Sequence, residues 1–149
     1  MKIAQPLPFL LGHWGITRSI YDHRSGISGL FEGSAVFTER EPNGKSGLVT
    51  RASYEESGEL QFATHTGEAH RRLEYVGRGG TGVEVFFPDG RPFIHIDLST
   101  GTWQAVHPCC DDHHQIAITV PSGNEIREFW RVRGPNKDYA ASALLKRLA

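Results

Sequence analysis

A chain of 149 residues with 16 basic and 17 acidic side chains carries a formal charge of −1, which gives no general attraction to nucleic acid or to an anionic membrane. Its apolar runs fall short of the roughly 20 residues that cross a bilayer as a helix, and its first eleven residues, broken by Pro6 and Pro8, lack the apolar core of a secretory signal. Seventeen glycines and eight prolines fit many turns better than long helices, so the expectation is one all-β domain, residues 1–149, long enough for a real core and set in the cytoplasm.

Met1 to Leu11 reads as an arm with a short helical turn that plugs one end of the fold. Trp14 to Asp22 is the first strand. Side chains alternate across a strand, so Trp14, Ile16, Arg18 and Ile20 share one face, and Gly15, Thr17, Ser19 and Tyr21 the other. His23 to Ser28 turns around Gly26. Gly29 to Glu39 follows, with Phe31, Gly33, Ala35 and Phe37 on one face; the small residues suit a tightly curved strand or a close neighbour. Glu41-Pro42-Asn43-Gly44 is a turn signal. Leu48 to Glu56 alternates again, with Ala52 and Tyr54 opposite Ser53 and Glu55. Ser57-Gly58 is expected to turn into a short strand, Leu60 to Thr66. Ala69 to Val76 sets Arg72 and Glu74 against Leu73 and Tyr75.

Arg78 to Gly82 reads as a hairpin loop, Val83 to Phe87 as a strand, and Pro88-Asp89-Gly90-Arg91-Pro92 as a turn. Phe93 to Ser99 sets Ile94, Ile96 and Leu98 against Phe93, His95 and Asp97. Thr102 to His107 is ended by Pro108. His114 to Val120 and Glu125 to Arg133 are the final two strands, separated by Pro121-Ser122-Gly123-Asn124. Asp138 then suits an N-cap, and Ala141, Leu144, Leu145 and Leu148 fall at helical spacing, so Tyr139 to Leu148 is expected to be a helix. Roughly nine or ten short strands with hairpin connections must close on themselves or leave edges. The expected fold is a closed antiparallel up-and-down β-barrel, with a two-sheet sandwich as its rival. Such a barrel can hold one small ligand, and a cavity of roughly 300 Å³ or more would mark a ligand site.

Arg18 stands alone among apolar residues on its face, and a buried guanidinium needs a partner. Ile126, Glu128, Trp130 and Val132 repeat that pattern with one acid. First and last strands are neighbours in a closed barrel, so Glu128 is placed across the seam from Arg18. The alternatives are a structural ion pair or an inverted register with both charges in water. An unpaired Arg18 would favour an anionic ligand group. Trp14, Tyr54, Trp103 and Trp130 would supply contact area, and Tyr75 more lining. His95 and Asp97 could face the cavity, although Ile94, Ile96 and Leu98 make the better core face.

The run His107-Pro108-Cys109-Cys110-Asp111-Asp112-His113-His114 concentrates zinc-type ligands, with His107, Cys109 and His113 as candidates. It lacks a recognised ligand spacing and falls where a polar loop is expected. Cys109 and His107 could form a nucleophile–base pair if Pro108 allowed it. Adjacent Cys109 and Cys110 are strained as a bridge, and reduced thiols fit the cytoplasm. The chain has no phosphate-cradling glycine motif, nucleophile elbow or aromatic-studded basic stripe.

Several stretches together resemble the bacterial DUF6314 family, whose function is unknown. They are Leu11-Gly12-His13-Trp14 with Arg18 and Asp22; Gly29-Leu30-Phe31-Glu32-Gly33; Tyr54-Glu55-Glu56; Asp89-Gly90-Arg91-Pro92-Phe93; His107-Pro108-Cys109; and Trp130 through Tyr139. Where the family pattern follows this cysteine with an acid and a tyrosine, the chain has Asp111-Asp112-His113-His114, so no tyrosine role carries over. Gly12-His13-Trp14 also resembles the opening of lipocalins and other calycins. That likeness implies a tryptophan closing one barrel end under a basic residue near the last strand, here Arg131 or Arg133. Neither resemblance supplies an activity.

The first functional reading is a barrel that holds an apolar or weakly acidic small molecule in its interior, with no cofactor. One alternative is an enzyme using His107 or His95 at the rim as acid–base. Another, implied by the calycin likeness, is haem binding through one histidine. A third is an interaction module with an exposed apolar patch. Nucleic acid and membrane are not expected as partners, and oligomeric state is not set by the sequence.

Overall fold

A segment that alternates apolar and polar residues can bury one face only as a strand whose sheet curls over that face. The computed structural model describes residues 1–40, 49–109 and 111–148, without the side chain of Cys109. The turn expected at 41–44, the start of a strand at Leu48, and Cys110 lie outside the described residues. A short helix, α1 (Pro6–Leu10), precedes ten strands: β1 (Gly12–Asp22), β2 (Ile27–Glu39), β3 (Arg51–Phe62), β4 (His65–Gly77), β5 (Gly82–Phe86), β6 (Pro92–Asp97), β7 (Thr102–Cys109), β8 (Asp112–Ser122), β9 (Glu125–Arg133) and β10 (Asp138–Arg147). All pair antiparallel in the order β6-β5-β4-β3-β2-β1-β10-β9-β8-β7. The sheet is a nearly closed barrel, as its alternation predicts. Among the described residues no helix is long and apolar enough to cross a membrane.

Three local expectations are corrected, besides that of Pro108 as a strand end: β7 runs through it to Cys109. The segment expected to be helical, Tyr139 to Leu148, falls on strand β10 (Asp138–Arg147) and is not a helix. Ala141, Ala143 and Leu145 face the core and Ser142 faces out, a period of two. Alanine and leucine favour helix locally, but β10 pairs with both β1 and β9, and those two ladders outweigh propensity. Nor do Ser57 and Gly58 make a turn. β3 runs straight through them, and the chain reverses after Phe62, where Ala63 takes φ +57°. Third, Phe93 is buried beside Ile94 although the two alternate. The β5–β6 register passes from Val85↔Ile94 to Phe86↔Pro92, so Phe93 is the extra residue of a bulge and turns inward. The turn after Phe87 is as expected: the Arg91 side chain donates to Asp89 at 2.7 Å, and Gly90 takes φ +91°.

The closed end is organised by Trp14, which is fully buried. Its Nε1 donates to the Leu10 carbonyl at 2.8 Å, and its ring meets Phe9 edge-on at 5.8 Å. The cation over that ring is Arg147 of β10, 4.2 Å from the centroid, not Arg131 or Arg133. Arg147 also donates to the carbonyls of Phe9 (2.6 Å), Leu11 (3.0 Å) and Gly123 (3.2 Å), capping the helix terminus with charge-assisted bonds. Arg131 is spent elsewhere, on Asp138 and on the Tyr139 carbonyl.

No backbone ladder among the described residues joins β6 to β7. The seam is bridged by Trp103, whose Nε1 donates to the His95 carbonyl at 2.9 Å while its ring lies edge-on to the His95 imidazole at 5.6 Å. The N-terminal arm adds Ile3 N–H to Leu98 O (3.1 Å) and the terminal ammonium to Val120 O (2.6 Å). Trp103→Phe, which keeps the ring and removes the donor, is expected to lower stability by about 1 kcal/mol. Hydrogen exchange across β6 should quicken while β1 and β2 stay protected.

Candidate functional site

Alternation aims the chemistry inward. Tyr54 and Glu56 are two apart on β3 and share the core face, and the β3–β4 register sets Glu56 opposite Arg71. Arg18 reaches Glu56 from β1 as a two-point pair, Nη1 to Oε2 at 2.7 Å and Nη2 to Oε1 at 3.0 Å. The Tyr54 hydroxyl donates to the same Oε1 at 2.6 Å, and Arg71 Nη2 lies 3.2 Å from it. The Arg18 guanidinium sits 5.2 Å over the Phe31 ring. Glu56 is 4 % exposed and Arg18 13 %, so neither charge could stand alone.

Burial by itself pushes the Glu56 carboxyl up. The hydrogen bonds and charge of Arg18, the charge of Arg71 and the Tyr54 hydroxyl win, and hold it at about 2. Burial opposes the charged form of Arg18 as well, but the bond to Glu56 raises its pKa above the ordinary value; Arg71 moves the same way. Tyr54 is pushed well up, chiefly by burial and then by the Glu56 charge, so it remains a donor.

Beside this cluster runs the barrel cavity. Isoleucines 94, 96, 116, 118 and 126 run along its apolar wall, and Tyr54, Arg71, Tyr75, Glu128 and Trp130 supply its polar edge. About 640 Å³ of interatomic space, including the open mouth, leaves a void of about 30 Å³. That holds roughly two water molecules and is far below the ~300 Å³ of a formed ligand pocket. On the cavity wall, Phe93 stacks on Trp130 (5.4 Å, 5° between planes) and meets Phe87 at a tilt (4.7 Å, 35°).

The expected site residues are therefore sorted differently. Tyr54, Glu128 and Trp130 do line the cavity. Arg18 faces the interior as read, but its partner is Glu56. β9 is not the terminal strand: β10 lies between, and Arg18 and Glu128 both register with Ala143. Trp14 belongs to the closed end and Trp103 to the seam, so neither lines the cavity. His95 points outward and pairs with Glu84 at 2.9 Å. His107 faces His114 across β7–β8, both half-buried at the rim and outside the cavity wall. The His114 pKa is lowered, first by burial and then by Lys137 and His107 against the pull of Asp112. His113 is exposed on the opposite face from His107, so the two cannot share an ion, and Cys109 has no described side chain. Among the described residues no group of three or more His, Cys, Asp or Glu is placed to hold a metal.

Sequence reading missed Glu56 and Arg71. Both had a signal. Glu56 has the parity of Ala52 and Tyr54, and Arg71 that of Leu73 and Tyr75. The Tyr54-Glu55-Glu56 and Arg18 pieces of the resemblance also meet here.

The family model described as "Family of unknown function (DUF6314)" matches residues 10–147. The chain belongs to this family. In DUF6314 terms the match runs from the end of α1 through all ten strands, in keeping with the resemblance seen in the sequence. Among solved structures, the S-type phycobiliprotein lyase of Guillardia theta is similar at a TM-score of 0.65 and 10 % identity, covering 100 % of this chain and 94 % of that one. A de novo designed fluorescence-activating β-barrel gives 0.50 and 12 %, covering 98 % and 100 %. A redesigned β-barrel gives 0.50 and 11 %, covering both chains fully. These likenesses are of fold. No curated protein matches this DUF6314 chain.

Proposed function

We propose that the protein binds one small, largely apolar molecule inside the barrel, between the isoleucine wall and the edge formed by Arg71, Tyr75, Glu128 and Trp130. The supporting observation is polar capacity left unused in an apolar cavity. Arg71 Nε is buried with no hydrogen-bond partner among the described residues, and such a group destabilises a fold by about 1–3 kcal/mol unless something satisfies it. The lyase and the fluorescence-activating barrel share the scaffold, which supports the reading as precedent for the fold. The small void means that binding opens the cavity. The Phe93–Trp130 stack and the unladdered β6–β7 seam are the parts free to move. The setting proposed is the cytoplasm, where Cys109 and Cys110 stay reduced.

Native mass spectrometry of the purified protein should show a 1:1 small-molecule adduct that is lost on denaturation. The neutral probe 1-aminoanthracene should bind saturably and quench tryptophan emission through Trp130. Ile118→Trp, which fills the cavity, should abolish both signals while the far-UV spectrum stays unchanged. Native mass equal to the bare polypeptide together with no saturable probe binding would overturn the proposal.

A further inference from the structure

The barrel interior holds two guanidiniums, Arg18 and Arg71, and two carboxylates, Glu56 and Glu128, and their pairing is lopsided. Glu56 takes both Nη groups of Arg18, the Tyr54 hydroxyl and the near Nη of Arg71. Glu128 accepts a single hydrogen bond among the described residues, from Trp130 Nε1 to Oε2 at 3.2 Å. Arg71 keeps a buried Nε without a partner, yet 39 % of its side chain is accessible. Its side chain forms part of the cavity wall. Tyr75, buried against Phe37 and Tyr54, also lines the cavity, and its hydroxyl has no hydrogen bond among the described residues. Among the described residues the cavity wall therefore includes a buried donor without a partner, Arg71 Nε, a hydroxyl without one, Tyr75, and a carboxylate with spare acceptor capacity, Glu128.

We infer that the cavity recognises an apolar ligand by a neutral head offering a hydrogen-bond acceptor and a donor side by side, as an amide or lactam edge does. The acceptor meets Arg71 and Tyr75, and the donor meets Glu128. This rests on the reading of the interior as a ligand site and adds the class of ligand. The formal charges of Arg18, Arg71, Glu56 and Glu128 cancel. A carboxylate head would bring an excess negative charge beside Glu128, and an ammonium an excess positive charge beside Arg71 and Arg18. In a dry barrel either is penalised. A hydrogen-bonding edge that satisfies both sides disturbs no charge, and a head lacking one of the two groups leaves a buried partner unpaired.

Three probes of one shape test it on the whole protein: 2-naphthamide, 2-naphthoate and 2-methylnaphthalene, titrated at pH 7 with tryptophan fluorescence and calorimetry as readouts. The amide should bind at least about tenfold tighter than either of the others, the factor that 1.4 kcal/mol represents. Glu128→Gln, which removes the charge and keeps the shape, should narrow the amide-to-carboxylate ratio by strengthening naphthoate. Arg71→Met should weaken the amide and leave methylnaphthalene unchanged. Equal or tighter binding of naphthoate, or of methylnaphthalene, to the wild-type protein overturns the assignment of the head while the interior site stands. Binding of none of the three overturns the assignment of the head, and the interior site then stands or falls by the native mass and 1-aminoanthracene binding. The wild-type comparison decides even if a variant fails to fold.

Discussion

Replacing Glu56 by glutamine is expected to destabilise the protein by about 3–5 kcal/mol, the range for a buried pair that loses one partner. The loss would appear as a lower urea midpoint at unchanged slope. Glu56 is the shared acceptor for Arg18, Tyr54 and Arg71. Glutamine keeps the volume but takes the bonded counter-charge from two guanidiniums, leaving only Glu128, among the described residues of the barrel, to offset them, and turns one accepting oxygen into a donor that faces them. Arg18→Met should do less damage, because Glu56 would retain Arg71 and Tyr54. If the two variants lost equal stability, the pair would act as an isolated bridge and not as a cluster centred on the carboxylate.

The same residue sets an acid limit. The Glu56 carboxyl falls from its ordinary value of 4.5 to about 2 on folding. A depressed carboxylate contributes stability that is present above the unfolded pKa and lost as pH falls through the folded one. The window therefore runs from about pH 4.5 down to about pH 2, with about 3 kcal/mol at stake. Wild type should lose stability steeply across that window and Glu56→Gln should be flatter, measured by urea unfolding at pH 5, 4 and 3.

Period-two alternation made most of the barrel readable before any coordinates. It placed Trp14, Ile16 and Arg18 inside, and likewise Phe31 with Phe37 and Ile126 with Trp130. Alternation names a face, however, and not the residue across it. The partner of Arg18 depends on which strands are neighbours, and that was misjudged at a single place. Ala140 to Leu148 carries strong helix formers, so its role as the strand closing β1 to β9 was hidden behind propensity. Glu56 was hidden by glycine in the same way. Ser57-Gly58 has the chemistry of a turn, and cutting the strand there left Glu56 at an end, where inward parity carries no meaning. Arg71 was passed over because the polar half of β4, from His65 to His70, shows no apolar alternation to extend. Cavity volume is the least legible quantity of all, since it is a small difference between the space a barrel encloses and the side chains that fill it.

The glycine that misled the sequence reading marks the other large effect. A Cβ built on Gly33 would lie 2.2 Å from the Ser57 carbonyl oxygen and 2.7 Å from the Gly58 Cα; one on Gly58 would lie 2.3 Å from the Glu32 oxygen and 2.6 Å from the Gly33 Cα. Those are backbone atoms of paired strands, so no side chain can swing aside, and β2 and β3 must part. Gly33→Ala or Gly58→Ala is expected to destabilise by about 3 kcal/mol, the upper end for overpacking. Gly67→Ala on β4 meets nothing within 4 Å and should be neutral or stabilising by about 0.5 kcal/mol, since only unfolded-chain entropy changes. The double alanine variant should lose less than the sum of the singles, because the first methyl already opens the gap the second needs. β2 lies between β1 and β3, and the Arg18–Glu56 bridge spans from one to the other across it. Widening the β2–β3 contact stretches that bridge. Glu56 then loses part of what holds its pKa down, and the acid limb of the Gly33→Ala variant should move toward pH 4.5. A limb that stayed where wild type has it would mean that the glycine contact and the buried cluster are mechanically independent.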